Sequence, residues 1–147
     1  MDGQQDSRQE KDKAHTAPPD PVKAHLLKSR VVTENTDQAK ELYNSSRYGT
    51  LLDSGKVQLS LIEALYLSEK QKIIILDQKN KKIAFDTLLK KFQRTEHNFW
   101  AKYSVYKDIR NRGYIIKTAL KFGADFRVYD RGIKPGEDHA KWVVFPV

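Results

Sequence analysis

Phe99-Trp100-Ala101-Lys102-Tyr103-Ser104-Val105-Tyr106-Lys107-Asp108-Ile109-Arg110-Asn111-Arg112-Gly113-Tyr114-Ile115-Ile116 is the stretch that decides the fold. Phe99, Tyr103 and Tyr106 recur at offsets of four and three, which puts them on one helix face. Trp100 and Ile109 lie beside that stripe. Arg110 and Arg112 fall in the last turn, where the negative end of the helix dipole favours cations. Gly113 supplies a C-cap. Tyr114-Ile115-Ile116 is aromatic and β-branched and opens a strand. The reading is a core-facing helix delivered into a sheet.

Working outward, Leu120-Lys121-Phe122 and Phe126-Arg127-Val128-Tyr129 read as strand segments split by Gly123-Ala124-Asp125. Asp130 to Asp138 holds Gly132, Pro135 and Gly136 and reads as a loop. Trp142-Val143-Val144-Phe145 is a final strand. One helix followed by consecutive strands predicts a mixed sheet under helix cover. Upstream, Val31-Val32 is a short strand candidate, and Thr36 can cap a helix over Asp37 to Ser46. Gly49 and Gly55 bracket a turn and a short strand around Leu51-Leu52. Ser60-Leu61-Ile62-Glu63 is a capping box that opens a helix striped by Leu61, Ala64, Leu65 and Tyr66. Ile73 to Leu76 is a strand, and Ile83 to Lys91 returns to helical spacing through Leu88, Leu89 and Phe92. Residues 1–27, rich in Gln, Asp, Lys and Pro, read as a disordered tail. The expected organisation is α+β: this tail, a small N-terminal α+β domain over 28–92, and a mixed-sheet α/β domain over 93–147.

Composition narrows the chemistry. The chain has 147 residues, 39% of them hydrophobic, enough for a packed core. No apolar run approaches the roughly 20 residues of a membrane-spanning helix, so no membrane partner is expected. The absence of cysteine removes disulfides, thiolate zinc sites and cysteine nucleophiles. The four histidines, at 15, 25, 97 and 139, lack metal-ligand spacing. No metal and no cofactor is expected. An N-terminus without an apolar core, in a chain without cysteine, points to an intracellular protein. A net charge of +8 suits a polyanionic partner such as nucleic acid, or equally a lysine-rich surface.

Two residues could carry chemistry. Tyr129 ends one strand and His139 precedes the next, and the loop between them can fold back to put both at one sheet end. Histidine moves protons near neutrality. Tyrosine, with an ordinary pKa of about 10, needs nearby positive charge to act as a base; Lys134 and Lys141 are close in sequence. The same two residues also suit ordinary strand-end packing. Lys107, Arg110, Arg112 and Arg127 are candidates for phosphate contact or for solvated surface. The aromatics Tyr103, Tyr106, Tyr114, Phe122 and Phe126 read as core.

The strings Tyr103-Ser104-Val105-Tyr106, Arg112-Gly113-Tyr114 and Lys121-Phe122-Gly123-Ala124-Asp125-Phe126, in this order and spacing, resemble the catalytic domain of the tRNA-splicing endonucleases: the archaeal enzyme and the catalytic subunits of the eukaryotic one. The resemblance is strongest over 99–145, and Leu59 to Leu67 is similar, more loosely, to the family's N-terminal domain. It implies an RNA-cleaving enzyme, cytoplasmic if archaeal and nuclear if eukaryotic. Its substrate would be precursor tRNA, and its partners other endonuclease subunits in a homo- or hetero-oligomer. The implied reaction is metal-independent: a ribose 2′-hydroxyl attacks the adjacent phosphate, leaving a 2′,3′-cyclic phosphate and a 5′-hydroxyl, lyase chemistry. Tyr129 would be the general base and His139 the general acid. The family's third residue, a lysine that stabilises the charged transition state, lies beyond the strand after the histidine, and no residue up to Val147 matches it. The nuclease-like domain is therefore expected to lack its C-terminal part. The alternative is a non-catalytic subunit or truncated remnant that pairs with a complete endonuclease chain.

Overall fold

A computed structural model describes residues 20–118, 126–131 and 140–144. Twelve elements form two sheets separated by helices. The first sheet holds β1 (Val22–Leu26), β2 (Val31–Thr33), β3 (Thr50–Leu51), β4 (Val57–Leu59) and β5 (Ile73–Leu76), in the order β3-β4-β2-β1-β5. The second holds β6 (Ile115–Thr118), β7 (Phe126–Tyr129) and β8 (Trp142–Val144) in sequence order. The helices are α1 (Asp37–Ser46), α2 (Leu61–Glu69), α3 (Phe85–Thr95) and α4 (Phe99–Asn111). The α+β class is as the sequence indicates. The first sheet is mixed: β1 runs antiparallel to β2 and parallel to β5, with Val22 opposite Ile73. The described strands of the second sheet are antiparallel, with Ile115 opposite Tyr129 and Val128 opposite Trp142. No described helix is long and apolar enough to cross a membrane.

Local signals explain most boundaries. The Thr36 hydroxyl accepts from the Ala39 amide at 3.1 Å and starts α1. α1 stops where Arg47 turns left-handed at φ 57°. The capping box at the head of α2 is complete: the Ser60 hydroxyl accepts from the Glu63 amide, and the Glu63 carboxylate accepts from the Ser60 amide. α2 is buried almost all round, from Ile62 to Leu67, because it lies between the first sheet and the helices α3 and α4. α3 presents Leu88 and Phe92, one turn apart, and runs past the expected end at Lys91 to Thr95. α4 buries Phe99, Tyr103, Tyr106 and Arg110 in a single stripe. Gly49 is dictated by space as well as by its φ of +68°: a Cβ there would lie 2.2 Å from the Gln58 carbonyl oxygen.

One expectation is corrected. The disordered tail was extended to residue 27, yet Val22–Leu26 forms β1, an interior strand of the first sheet. Val22 and Ala24 are buried between two strands, and that apolar burial offsets the ordering cost a lone polar segment cannot meet. The Leu120–Phe122 strand, Gly123, most of the 130–138 loop and the ends of the chain lie outside the described residues.

Two side chains of the second half grip the backbone of the first. Arg110 on α4 donates to the Ser46 carbonyl at 2.9 Å, and its guanidinium lies 3.9 Å over the Tyr48 ring. Lys117 on β6 donates to the carbonyls of Arg47, at 2.9 Å, and Gly49, at 2.7 Å. Tyr66 on α2 donates to Asn111 at 2.8 Å and packs edge-on against Tyr106. Cationic donors to carbonyls contribute about 1.5–3 kcal/mol each when buried, so the junction is fixed.

Candidate active site

Tyr129 is the last residue of β7, 7% exposed, and is the only described member of the expected catalytic pair. His139 lies outside the described residues. The strand end is held from three sides. The Lys141 amide donates to the Val128 carbonyl at 2.8 Å, so the chain re-entering β8 lies beside the residue before Tyr129. The Lys141 ammonium pairs with Asp130 at 3.2 Å and sits 4.8 Å from the Trp142 ring centre. Arg131 donates to the Arg112 carbonyl at 2.9 Å, closing the end of α4. That closure needs Gly113, whose φ is +93°: a Cβ there would lie 2.4 Å from Arg131 Nε. The end of β7 thus carries a buried phenol flanked by Asp130, Arg131 and Lys141.

Behind this strand end is a cavity of about 240 Å³, lined by Tyr48, Arg110, Gly113, Tyr114 and Arg131 among others. Of its two phenols, Tyr48 is no ready base: burial pushes it up to about 12, although the Arg110 charge pulls the other way. Arg110 Nη2 has no hydrogen-bond partner among the described residues.

The four RNA-contact candidates part company. Arg127 is exposed on β7. Arg112 is exposed and pairs with Asp108 at 3.3 Å. Lys107 is half-exposed and pairs with Glu69, which also accepts from the Tyr103 hydroxyl. Arg110 belongs to the interior, 7% exposed, because it extends the stripe of Phe99, Tyr103 and Tyr106 by one turn. Sequence reasoning missed Lys117, whose signal was a cation inside an apolar strand. It also missed Arg131, for which the local sequence carries no signal.

Comparison with known proteins bears on both halves. A model of the tRNA intron endonuclease N-terminal domain matches residues 22–89, and one of the catalytic C-terminal domain of the same family matches residues 99–147. A tRNA-splicing endonuclease of Thermococcus onnurineus strain NA1 is 41% identical over 87% of this chain and 72% of its own length. One from Pyrococcus horikoshii is 42% identical over 85% of this chain and 70% of its own length. A longer one, from Methanosarcina barkeri strain Fusaro, is 42% identical over 72% of this chain and 30% of its own length.

Proposed function

The chain belongs to the tRNA-splicing endonuclease family, and on that premise we propose that it cleaves precursor tRNA at intron boundaries by metal-independent transesterification. The 2′-oxygen attacks the adjacent phosphorus as its proton passes to the oxygen of Tyr129, which acts in its deprotonated, phenolate form. The bond from phosphorus to the 5′-oxygen breaks as His139 delivers a proton to that oxygen. The products are a 2′,3′-cyclic phosphate and a 5′-hydroxyl. Acid–base assistance of this kind is worth about 10²- to 10⁴-fold in rate.

The observation that carries the reading is the Lys141–Val128 backbone bond of 2.8 Å. It ties the residue two after His139 to the residue one before Tyr129. Among the described residues β8 pairs on one side only, and this supports association with another endonuclease subunit, since unpaired strand edges recruit strands.

The test is cleavage of an intron-containing transcript, by this chain alone and with a partner subunit. Activity should persist in EDTA and yield cyclic-phosphate ends. Tyr129→Phe removes only the hydroxyl and should slow cleavage by about 10²-fold or more, with the melting temperature nearly unchanged. His139→Ala should abolish cleavage and leave RNA affinity intact. Cleavage that requires added Mg²⁺, or wild-type rates from both variants, would refute the assignment.

A further inference from the structure

β1 and β5 run in parallel, so the turns that follow them leave the first sheet at the same end. Each turn is tightly made. In the first, Leu27 donates to the Arg30 carbonyl at 2.8 Å, which places Lys28 at the tip. In the second, the Asp77 carboxylate accepts from the amides of Lys79, at 2.8 Å, and Lys81, at 3.0 Å. His25 and Asn80 hydrogen-bond at 2.8 Å and tie the second turn to β1. Between the turns and α3 runs a groove of about 690 Å³ with Lys28, Lys79 and Lys91 on its rim. Its floor is apolar, from Leu26, Leu27 and Ile83.

The charges in this groove are unbalanced. Lys28, Lys79 and Lys91 are exposed, and none enters an ion pair among the described residues. The one lining carboxylate, Asp77, is committed to the turn: backbone amides hold its pKa below the ordinary range, so it stays ionised and bound in place. Three ammonium groups from three segments are point-charge donors around one groove, and its apolar lining can take sugar and base surface. Lysine binds phosphate in this way, and phosphate contacts position a nucleic acid without reading its sequence.

We propose that this groove is a second RNA-binding surface, which takes the phosphodiester backbone of precursor tRNA away from the point of cleavage. The proposal rests on the RNA-cleaving reading above. Every lining residue belongs to the first sheet, its turns or α3, whereas Tyr129 belongs to the second sheet. The groove therefore contributes affinity and leaves the bound-state rate alone.

The test compares three triple variants with the wild-type chain: Lys28→Gln/Lys79→Gln/Lys91→Gln in the groove, the same positions changed to Arg, and Lys23→Gln/Lys56→Gln/Lys72→Gln as exposed controls elsewhere. The readouts are affinity for an intron-containing transcript across a salt series, the cleavage rate at saturating RNA, and melting temperature. The Gln groove variant should bind at least about tenfold more weakly, with a log–log salt slope shallower by about 2–3. Its saturated cleavage rate and melting temperature should match the wild type. The Arg variant should retain affinity. Equal loss from groove and control variants would show only diffuse charge attraction and overturn the proposal. Unchanged affinity in the groove variant, with a wild type that binds and cuts, would overturn the proposal and spare the function. A groove variant that loses polyglutamate binding but keeps RNA binding would assign the groove to an acidic protein and overturn it. A wild type that neither binds nor cuts RNA would overturn both.

Discussion

Removing the Glu63 carboxylate should cost more than any other single change on α2. Glu63 is 6% exposed. One oxygen accepts from the Ser60 amide and hydroxyl, both at 3.0 Å, and the other accepts from the Gly49 amide at 2.7 Å, with the Lys117 ammonium 4.0 Å away. In Glu63→Ala the Gly49 and Ser60 amides lose their acceptors, at about 1–3 kcal/mol for each group left buried. The Ser60 hydroxyl still caps the amide of residue 63, so the half of the capping box that is lost is the Ser60 amide bond already counted. Lys117 also loses the opposite charge nearest to it. These losses overlap, so the expected destabilisation is about 3–5 kcal/mol, a large share of the 5–15 kcal/mol typical of a domain. Glu63→Gln keeps one acceptor but turns an amide donor toward a donor, and should cost about half as much. Urea unfolding at neutral pH measures both, with an unchanged m-value as the sign that only stability moved. A cycle with Lys117→Met should give a coupling above about 0.5 kcal/mol. A loss under about 1 kcal/mol for the alanine variant would show that Glu63 does not join the α1–β3 turn, α2 and β6.

Truncation through Leu26 removes β1 from between β2 and β5, so circular dichroism should report loss of cooperative folding. Arg110→Ala strips the donor from the Ser46 carbonyl and the cation from the Tyr48 ring, and should destabilise by about 2–4 kcal/mol in thermal melts. For Glu69, burial raises the pKa, but hydrogen bonds from Lys107 and Tyr103 outweigh it and leave the group below its ordinary value of 4.5. A depressed folded-state pKa means that its stabilisation is present above about pH 4.5 and fades as pH falls through the folded value. Tyr103→Phe should therefore flatten the acid limb of a urea-midpoint-versus-pH plot, and an unchanged limb would remove Glu69 from the account.

What the sequence disclosed was local. Thr36, Ser60 with Glu63, and the Phe99–Tyr103–Tyr106 stripe fixed three helices, because caps and periodicity act within a few residues. β1 escaped notice although Val22, Ala24 and Leu26 alternate: Lys23, His25 and the preceding prolines gave the segment a tail's composition, and its neighbour β5 is remote in sequence. Arg110 was legible as a helix-end cation, but its interior place follows from counting the stripe one turn further. Lys117 was legible as part of a strand, whereas its two carbonyl partners on the α1–β3 turn arise only from tertiary packing. Tyr129 was readable as a strand end, and its proposed role as a base came from the resemblance alone.

The parallel pairing of β1 with β5 sets an order on folding. β1 and β2 can close as a hairpin as soon as both exist, because their partners are neighbours. The other side of β1 then waits until α1, β3, β4 and α2 have been made and β5 arrives, and such distant pairings form slowly. During that wait an apolar strand flank is open to any other chain. Synthesis of this protein should thus pass through a window in which crowding by sister chains competes with its own completion, and slower translation or lower temperature during expression would favour the native partner.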